Sequence, residues 1–248
     1  MKIAIITGGS RGIGKSTALN LAKRGIEVIL TYNSHAEEAE AVVAEVKKTG
    51  GKAVALQLDV TRVKSFGGFA AQVSQTLDED FSQKTFDYLV NNAGIAQRTL
   101  IKDVTEEQFD ELVDVHFKGV FFLTQKLIPL MSDGGHVIFV SSALTRLTSG
   151  AGVAVYAAAK GAIEVITRYF ASEYSKRKIR ANCVAPGALD TDFAGGRTDE
   201  LRKFIGEHTL LGRIGLADDI GPLIAVLLSD DSHWVNAQRI EATGGTAV

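Results

Sequence analysis

The chain has 248 residues, 46% hydrophobic and 23% charged, with 27 Lys+Arg against 29 Asp+Glu and a net charge of −2. That balance offers no broad basic face for nucleic acid, and no apolar run approaches the ~20 residues that span a bilayer. Its single cysteine, Cys183, excludes an internal disulfide, and the opening Lys2-Ile3-Ala4-Ile5-Ile6 lacks a signal-peptide layout, so the expectation is a soluble cytoplasmic protein.

The first apolar run, Ile3–Thr7, predicts a buried strand, and it passes into a turn, Thr7-Gly8-Gly9-Ser10-Arg11-Gly12-Ile13-Gly14. Further runs at Glu27–Tyr32, Lys52–Leu58, Phe86–Val90, His136–Ser141 and Ile179–Ala185 predict five more strands. Segments of helical spacing lie between them, such as Ala36–Lys48, which sets Ala39, Val42, Val43 and Val46 on one face. Strand and helix alternating in this way predict one α/β unit over 1–248, with a doubly wound parallel sheet and helices on both faces.

Two motifs overlap in the glycine turn. Gly8, Ser10, Arg11, Gly12, Ile13 and Gly14 suit a dinucleotide, because glycines let backbone amides approach a phosphate and the next helix adds partial positive charge. The same stretch fits a P-loop, with Gly9 four residues before Gly14-Lys15-Ser16 and Asp59 as the magnesium-binding acid. On the turn alone, a nucleotide triphosphatase stays open.

Later segments bear on that choice. Asn91-Asn92-Ala93-Gly94 follows the fourth strand, Val140-Ser141-Ser142 closes the fifth, and Pro186-Gly187 follows the sixth. Open α/β sheets place ligands at such strand ends. Tyr156-Ala157-Ala158-Ala159-Lys160 sets a phenol and an ammonium one above the other on a helix.

Taken in this order, from Thr7 to Ile240, these segments resemble the short-chain dehydrogenases/reductases, and among them the 3-oxoacyl-carrier-protein reductase branch. The resemblance implies a Rossmann-type sheet of about seven strands. It also implies an oxidoreductase that interconverts a carbonyl and a secondary alcohol by hydride transfer, on a 3-oxoacyl thioester or another small ketone. Ser142, Tyr156 and Lys160 would form its catalytic set, with Ser141 as second choice for the serine. Lys160 would lower the Tyr156 pKa from ~10 and hold the nicotinamide ribose, while Ser142 donates to the substrate oxygen. A homotetramer or homodimer built on the helix from about Val153 to Lys176, and a substrate lid around 188–212, complete the expectation. Phe193, Phe204 and Leu210 are candidate apolar walls.

The cofactor reading is separate. The second strand ends Thr31-Tyr32-Asn33-Ser34-His35, without the acid that would bond an adenosine ribose and repel a 2′-phosphate. Arg11, with Asn33 and Ser34, would hold that phosphate, which favours NADP(H) over NAD(H). By resemblance Asp59 and Val60 flank the adenine, and Asn92, Ala93 and Gly94 line the groove. Pro186 and Gly187 border the cofactor, and Leu189 and Thr191 close over its carboxamide. No metal-ligand spacing links His35, His136, His208 and His233.

Two departures from the family pattern stand out. Ser142 precedes Tyr156 by 14 residues, one more than the commonest spacing. His116, in Asp114-Val115-His116-Phe117-Lys118-Gly119, stands where the family has an asparagine. Neutral imidazole offers one donor and one acceptor, which would suit it to begin a water-linked proton path to Lys160. It titrates with an unperturbed pKa of about 6.5, which the Lys160 charge should lower, and an acidic limb in the pH–rate profile is expected. A histidine that only packs, or bonds a backbone carbonyl, is the alternative. A non-catalytic NADP(H)-binding relative also stays open.

Overall fold

The computed structural model describes residues 1–148, 151–193 and 195–246. Strand β1 (Lys2–Ile6) is buried from Ile3 onward. Successive strand side chains point to opposite sides, so Ile3 and Ile5 enter one core while Ala4 and Ile6 enter another. A strand buried on both faces needs a layer of helices on each.

The chain supplies those layers in alternation. After β1 come α1 (Gly12–Ala22), β2 (Ile26–Tyr32), α2 (Ala36–Lys48), β3 (Ala53–Gln57), α3 (Phe66–Phe81), β4 (Phe86–Asn91) and α4 (Glu106–Val113). Then follow α5 (Gly119–Leu127), β5 (Met131–Val140), α6 (Ala154–Glu173) and β6 (Arg180–Pro186). Two-residue strands β7 (Leu189–Asp190) and β8 (Gly215–Leu216) flank α7 (Asp199–Glu207), and α8 (Ala217–Leu227) leads to β9 (Arg239–Ala242). Helices α3, α5 and α6 cover one face with Phe66, Leu123 and Phe170, and α1, α2 and α8 cover the other with Leu21, Val46 and Ile224.

Seven strands form one parallel sheet in the order β3-β2-β1-β4-β5-β6-β9. This is the expected doubly wound Rossmann-type sheet. The six apolar runs correspond to β1 through β6, within a residue or two at most ends. Strand β5 begins earlier, at Met131, because its pairing with β4 shifts register between Phe86 and Tyr88. The seventh strand has no apolar run of its own: at the sheet edge β9 reads Arg-Ile-Glu-Ala and is only partly buried. Because the order reverses between β1 and β4, their C-terminal ends diverge and open a crevice. No helix among the described residues is long and apolar enough to cross a membrane.

Candidate active site

The glycine turn sits at that reversal. Gly8 (φ +64°) and Gly12 (φ +53°) hold left-handed backbone, and a Cβ on Gly14 would lie 2.1 Å from the Gly8 carbonyl oxygen. Only glycine closes the turn this tightly. Asn92 Nδ2 donates to the carbonyls of Thr7 and Gly8, both at 2.9 Å, and Thr7 Oγ1 accepts from the amides of Asn92 and Ala93. The ends of β1 and β4 are thereby braced against each other. Helix α1 starts with no side-chain cap and no acid in its first turn, which leaves its leading N–H groups free for an anion. Arg11, Asn33 and Ser34 are exposed, Ser10 and Ile13 partly so, and the Thr191 methyl stands opposite Gly12. These residues fit a dinucleotide pyrophosphate with a ribose beside it.

The P-loop alternative loses its parts here. Lys15 pairs with Glu45 of α2 at 2.8 Å, and Ser16 donates to Asp218 of α8. A Cβ on Gly221 would lie 2.2 Å from Ser16 Oγ, so α1 and α8 meet closely there. Burial alone would raise the Asp59 carboxyl, but hydrogen bonds from Thr61 and Arg62 outweigh it and hold its pKa below the ordinary value. The Asp59 carboxylate therefore serves its own turn. The Val60 carbonyl faces Gly119, where a Cβ would lie 2.0 Å away.

Ser142, Tyr156 and Lys160 come together at the C-terminal end of β5. Lys160 is 4% exposed, and its Nζ donates to the Val140 carbonyl at 2.6 Å while lying 5.9 Å from the centre of the Tyr156 ring. Burial lowers its pKa to about 8. Burial pushes the Tyr156 phenol up, and the neighbouring Ser142 hydroxyl pulls it the other way. The sequence reading expected Lys160 to draw the phenol down. Instead desolvation of the phenol dominates, and the ammonium is turned toward a backbone carbonyl. Ser141, the second choice, points away from Tyr156: its hydroxyl donates to Glu164 at 2.9 Å and to the Lys160 carbonyl at 3.2 Å.

His116 lies in a π-helical turn, Asp114–Lys118, that joins α4 to α5. Such one-turn expansions re-aim side chains, and this one carries the imidazole under Tyr156, edge to face at 4.9 Å. The ring is 0% exposed. Its Nε2 bonds the Ile95 carbonyl at 2.8 Å, so Nε2 carries the proton and Nδ1, buried and without a partner, is the bare acceptor. Burial, then the nearby Lys160 charge, drive its pKa down to about 3. Burial thus adds to the lowering expected from the Lys160 charge, so the imidazole stays neutral through the working range and its acidic limb falls below it. Gly94 is the close neighbour, where a Cβ would come 2.8 Å from His116 Cε1.

One network had no signal in the sequence. Glu164 and Arg239, 8–13% exposed, pair at 2.6 Å across 75 residues. Glu164 also accepts from Ser141 and Thr145, and Arg239 donates to Thr145 Oγ1 and weakly to the Ser142 carbonyl at 3.4 Å. The pair ties the serine loop to α6 and β9.

The expected lid is a composite. Arg202 of α7 donates to Asp190 at 2.9 Å, and the amides of Leu210 and Leu211 donate to the carbonyls of Gly245 and Gly244. Ala194 lies outside the described residues. Phe193 approaches Tyr156 with ring centres 6.3 Å apart, whereas Phe204 packs on His208 and Leu210 is exposed. The Leu189 side chain is largely buried, in the core cluster that holds Ile220 and Val184. Pro186 ends β6, and Gly187 N–H donates to the Ala242 carbonyl at 3.0 Å.

Sheet order, braced glycine turn and strand-end residues define a Rossmann-type α/β protein with a crevice at the strand ends. Residues 8–247 match the family described as enoyl-(acyl carrier protein) reductase. A hydroxynaphthalene reductase-like protein of Metarhizium brunneum is 36% identical, over 99% of this chain and 94% of its own. Among solved structures, the angucycline C-6 ketoreductase LanV with bound NADP is 34% identical at a TM-score of 0.93, covering 99% of this chain and 95% of its own. The promiscuous reductase LugOII of lugdunomycin biosynthesis is 34% identical at a TM-score of 0.93, covering 100% of this chain and 98% of its own. The chain belongs to the short-chain dehydrogenase/reductase family.

Proposed function

We propose that the chain is an NADP(H)-dependent carbonyl reductase whose substrates are ketones on fused aromatic rings. The observation that carries it is the grouping of Tyr156, Lys160 and Ser142 at a strand end beside the braced glycine turn. The aromatic class is supported by the hydroxynaphthalene and angucycline substrates named for the relatives, and by Phe193 and His116 around Tyr156. The nicotinamide supplies the hydride. Every other requirement falls to side chains of this chain.

A phenol raised by burial keeps its proton at neutral pH, which suits a donor to the oxygen of a carbonyl being reduced. Ser142 offers that oxygen a second hydrogen bond as its charge grows. Lys160, charged below about pH 8, favours the tyrosinate left behind. His116 holds the floor of the site, bridging the Ile95 carbonyl to the Tyr156 ring. Loss of reduced-cofactor absorbance across ketones, quinones and 3-oxoacyl thioesters tests the reading: fused-ring ketones should lead, and a thioester lead would overturn the aromatic class.

Cofactor choice follows from Arg11. It is exposed at the glycine turn, and the end of β2 carries no competing acid. NADPH should bind at least about tenfold tighter than NADH, an advantage of roughly 1.4 kcal/mol. Arg11→Ala should narrow the gap by weakening NADPH alone, measured by calorimetric titration. Equal affinities in the parent protein would remove the NADP assignment.

A further inference from the structure

We infer that Glu164 is a positioning residue for the reduction: its carboxylate fixes the Ser142 turn against the helix that carries Tyr156 and Lys160. The inference rests on the reductase reading above and deepens it. Glu164 Oε1 gathers donors from three segments, Ser141 Oγ at 2.9 Å, Thr145 Oγ1 at 2.7 Å and Arg239 Nε at 2.6 Å. The first two bracket Ser142 in the chain. Each of those hydroxyls has one proton and a backbone carbonyl as rival acceptor, Lys160 for Ser141 at 3.2 Å and Ser142 for Thr145 at 2.9 Å. The carboxylate is nearer in both cases and charged, so it takes the larger share.

The place of that oxygen on α6 gives these contacts their consequence. Tyr156, Lys160 and Glu164 follow at four-residue steps, hence on one face of the helix. The turn that offers Ser142 is therefore tied to the same face that offers the phenol and the ammonium. Ser142 Oγ accepts from the Leu144 amide at 3.2 Å, which leaves its proton for the substrate oxygen. A donor to a developing oxyanion acts over a narrow range of distance, so a loosened turn costs rate rather than cofactor binding. Arg239 also pairs with Glu241 at 2.9 Å, so a change at Glu164 does not strand a buried cation.

The test is a double-mutant cycle on reduction of α-tetralone with NADPH, crossing Glu164→Ala with Ser142→Ala. In the parent, Glu164→Ala should lower kcat about tenfold or more and leave NADPH affinity within about twofold. On top of Ser142→Ala it should lower kcat by less than about twofold, because no serine hydroxyl remains to be placed. Glu164→Gln, which keeps an accepting oxygen, should recover most of the loss. A pair that merely holds the fold acts whether or not the serine is there. Equal fold losses in both backgrounds, no loss in the parent, or a loss confined to NADPH affinity therefore overturn the inference. If Glu164→Ala does not fold, the near-isosteric Thr145→Val runs the same cycle, with an effect of about threefold in the parent. If neither α-tetralone nor the rest of the ketone panel is reduced, the reductase reading fails by itself. Amide hydrogen exchange then decides Glu164, since residues 144–147 all donate within the turn. Faster exchange there than elsewhere in Glu164→Ala supports the fastening, and unchanged exchange overturns it.

Discussion

Replacing Tyr156 with phenylalanine should lower turnover by roughly 10²-fold or more, while NADPH still binds. The ring stays, so its contacts with His116 and Phe193 stay, and only the proton donor is removed. Lys160→Met should damage turnover and cofactor affinity together, since the lysine serves both the phenol and the expected ribose contact. The pH dependence separates them further. Lys160 has a pKa of about 8, so its charge is present below that value and lost above it. Reduction by the parent should therefore fall on a basic limb near pH 8, and Lys160→Met should lack that limb. Near-parent turnover in Tyr156→Phe, by single-turnover kinetics on a good ketone, would remove the phenol from the mechanism.

Acid should destabilise the fold well above the range where carboxylates titrate. His116 and His136 are both wholly buried, and burial first, then the charges of Lys160 and Arg180, hold each near a pKa of about 3. The bonding explains the resistance at His136. Asn182 Oδ1 accepts from the Gln238 amide, which turns Asn182 Nδ2 onto His136 Nε2 at 2.8 Å and leaves no room for a second proton there. The sign follows from linkage. Between about 6.5 and 3 the unfolded chain binds protons that the folded chain refuses, so stability present near neutrality is lost as pH falls. From pH 7 to pH 5 the loss is about 2 kcal/mol per histidine, about 4 for both, readable as a shift in urea unfolding. His116→Asn should recover about half of that slope while keeping most activity, and His116→Leu should lose activity at every pH. Unfolding free energy that does not change between pH 7 and pH 5 would show that neither ring is held neutral.

Much of the site was legible because its chemistry depends on short spacings. The glycine turn closes only on glycine, and Tyr156 and Lys160 share a helix face through backbone periodicity alone. What stayed hidden depends on partners far along the chain. Lys15 reads as a phosphate ligand until Glu45 claims it. The Glu164–Arg239 pair forms only once α6 and β9 come together.

The amino-acid order alone determined the alternating strands and helices, the glycine turn and the Tyr-Lys spacing, since each is a pattern within a few residues, while Ser142 entered through the family resemblance. Tertiary structure decided which charges are dry. The raised phenol, the lysine near 8 and the neutral His116 all come from desolvation by packed neighbours, and burial belongs to the assembled layers. The π-helical turn shows the same division, because His116 is plain in the sequence and its place beneath Tyr156 comes only from the way α4 and α5 pack against α6.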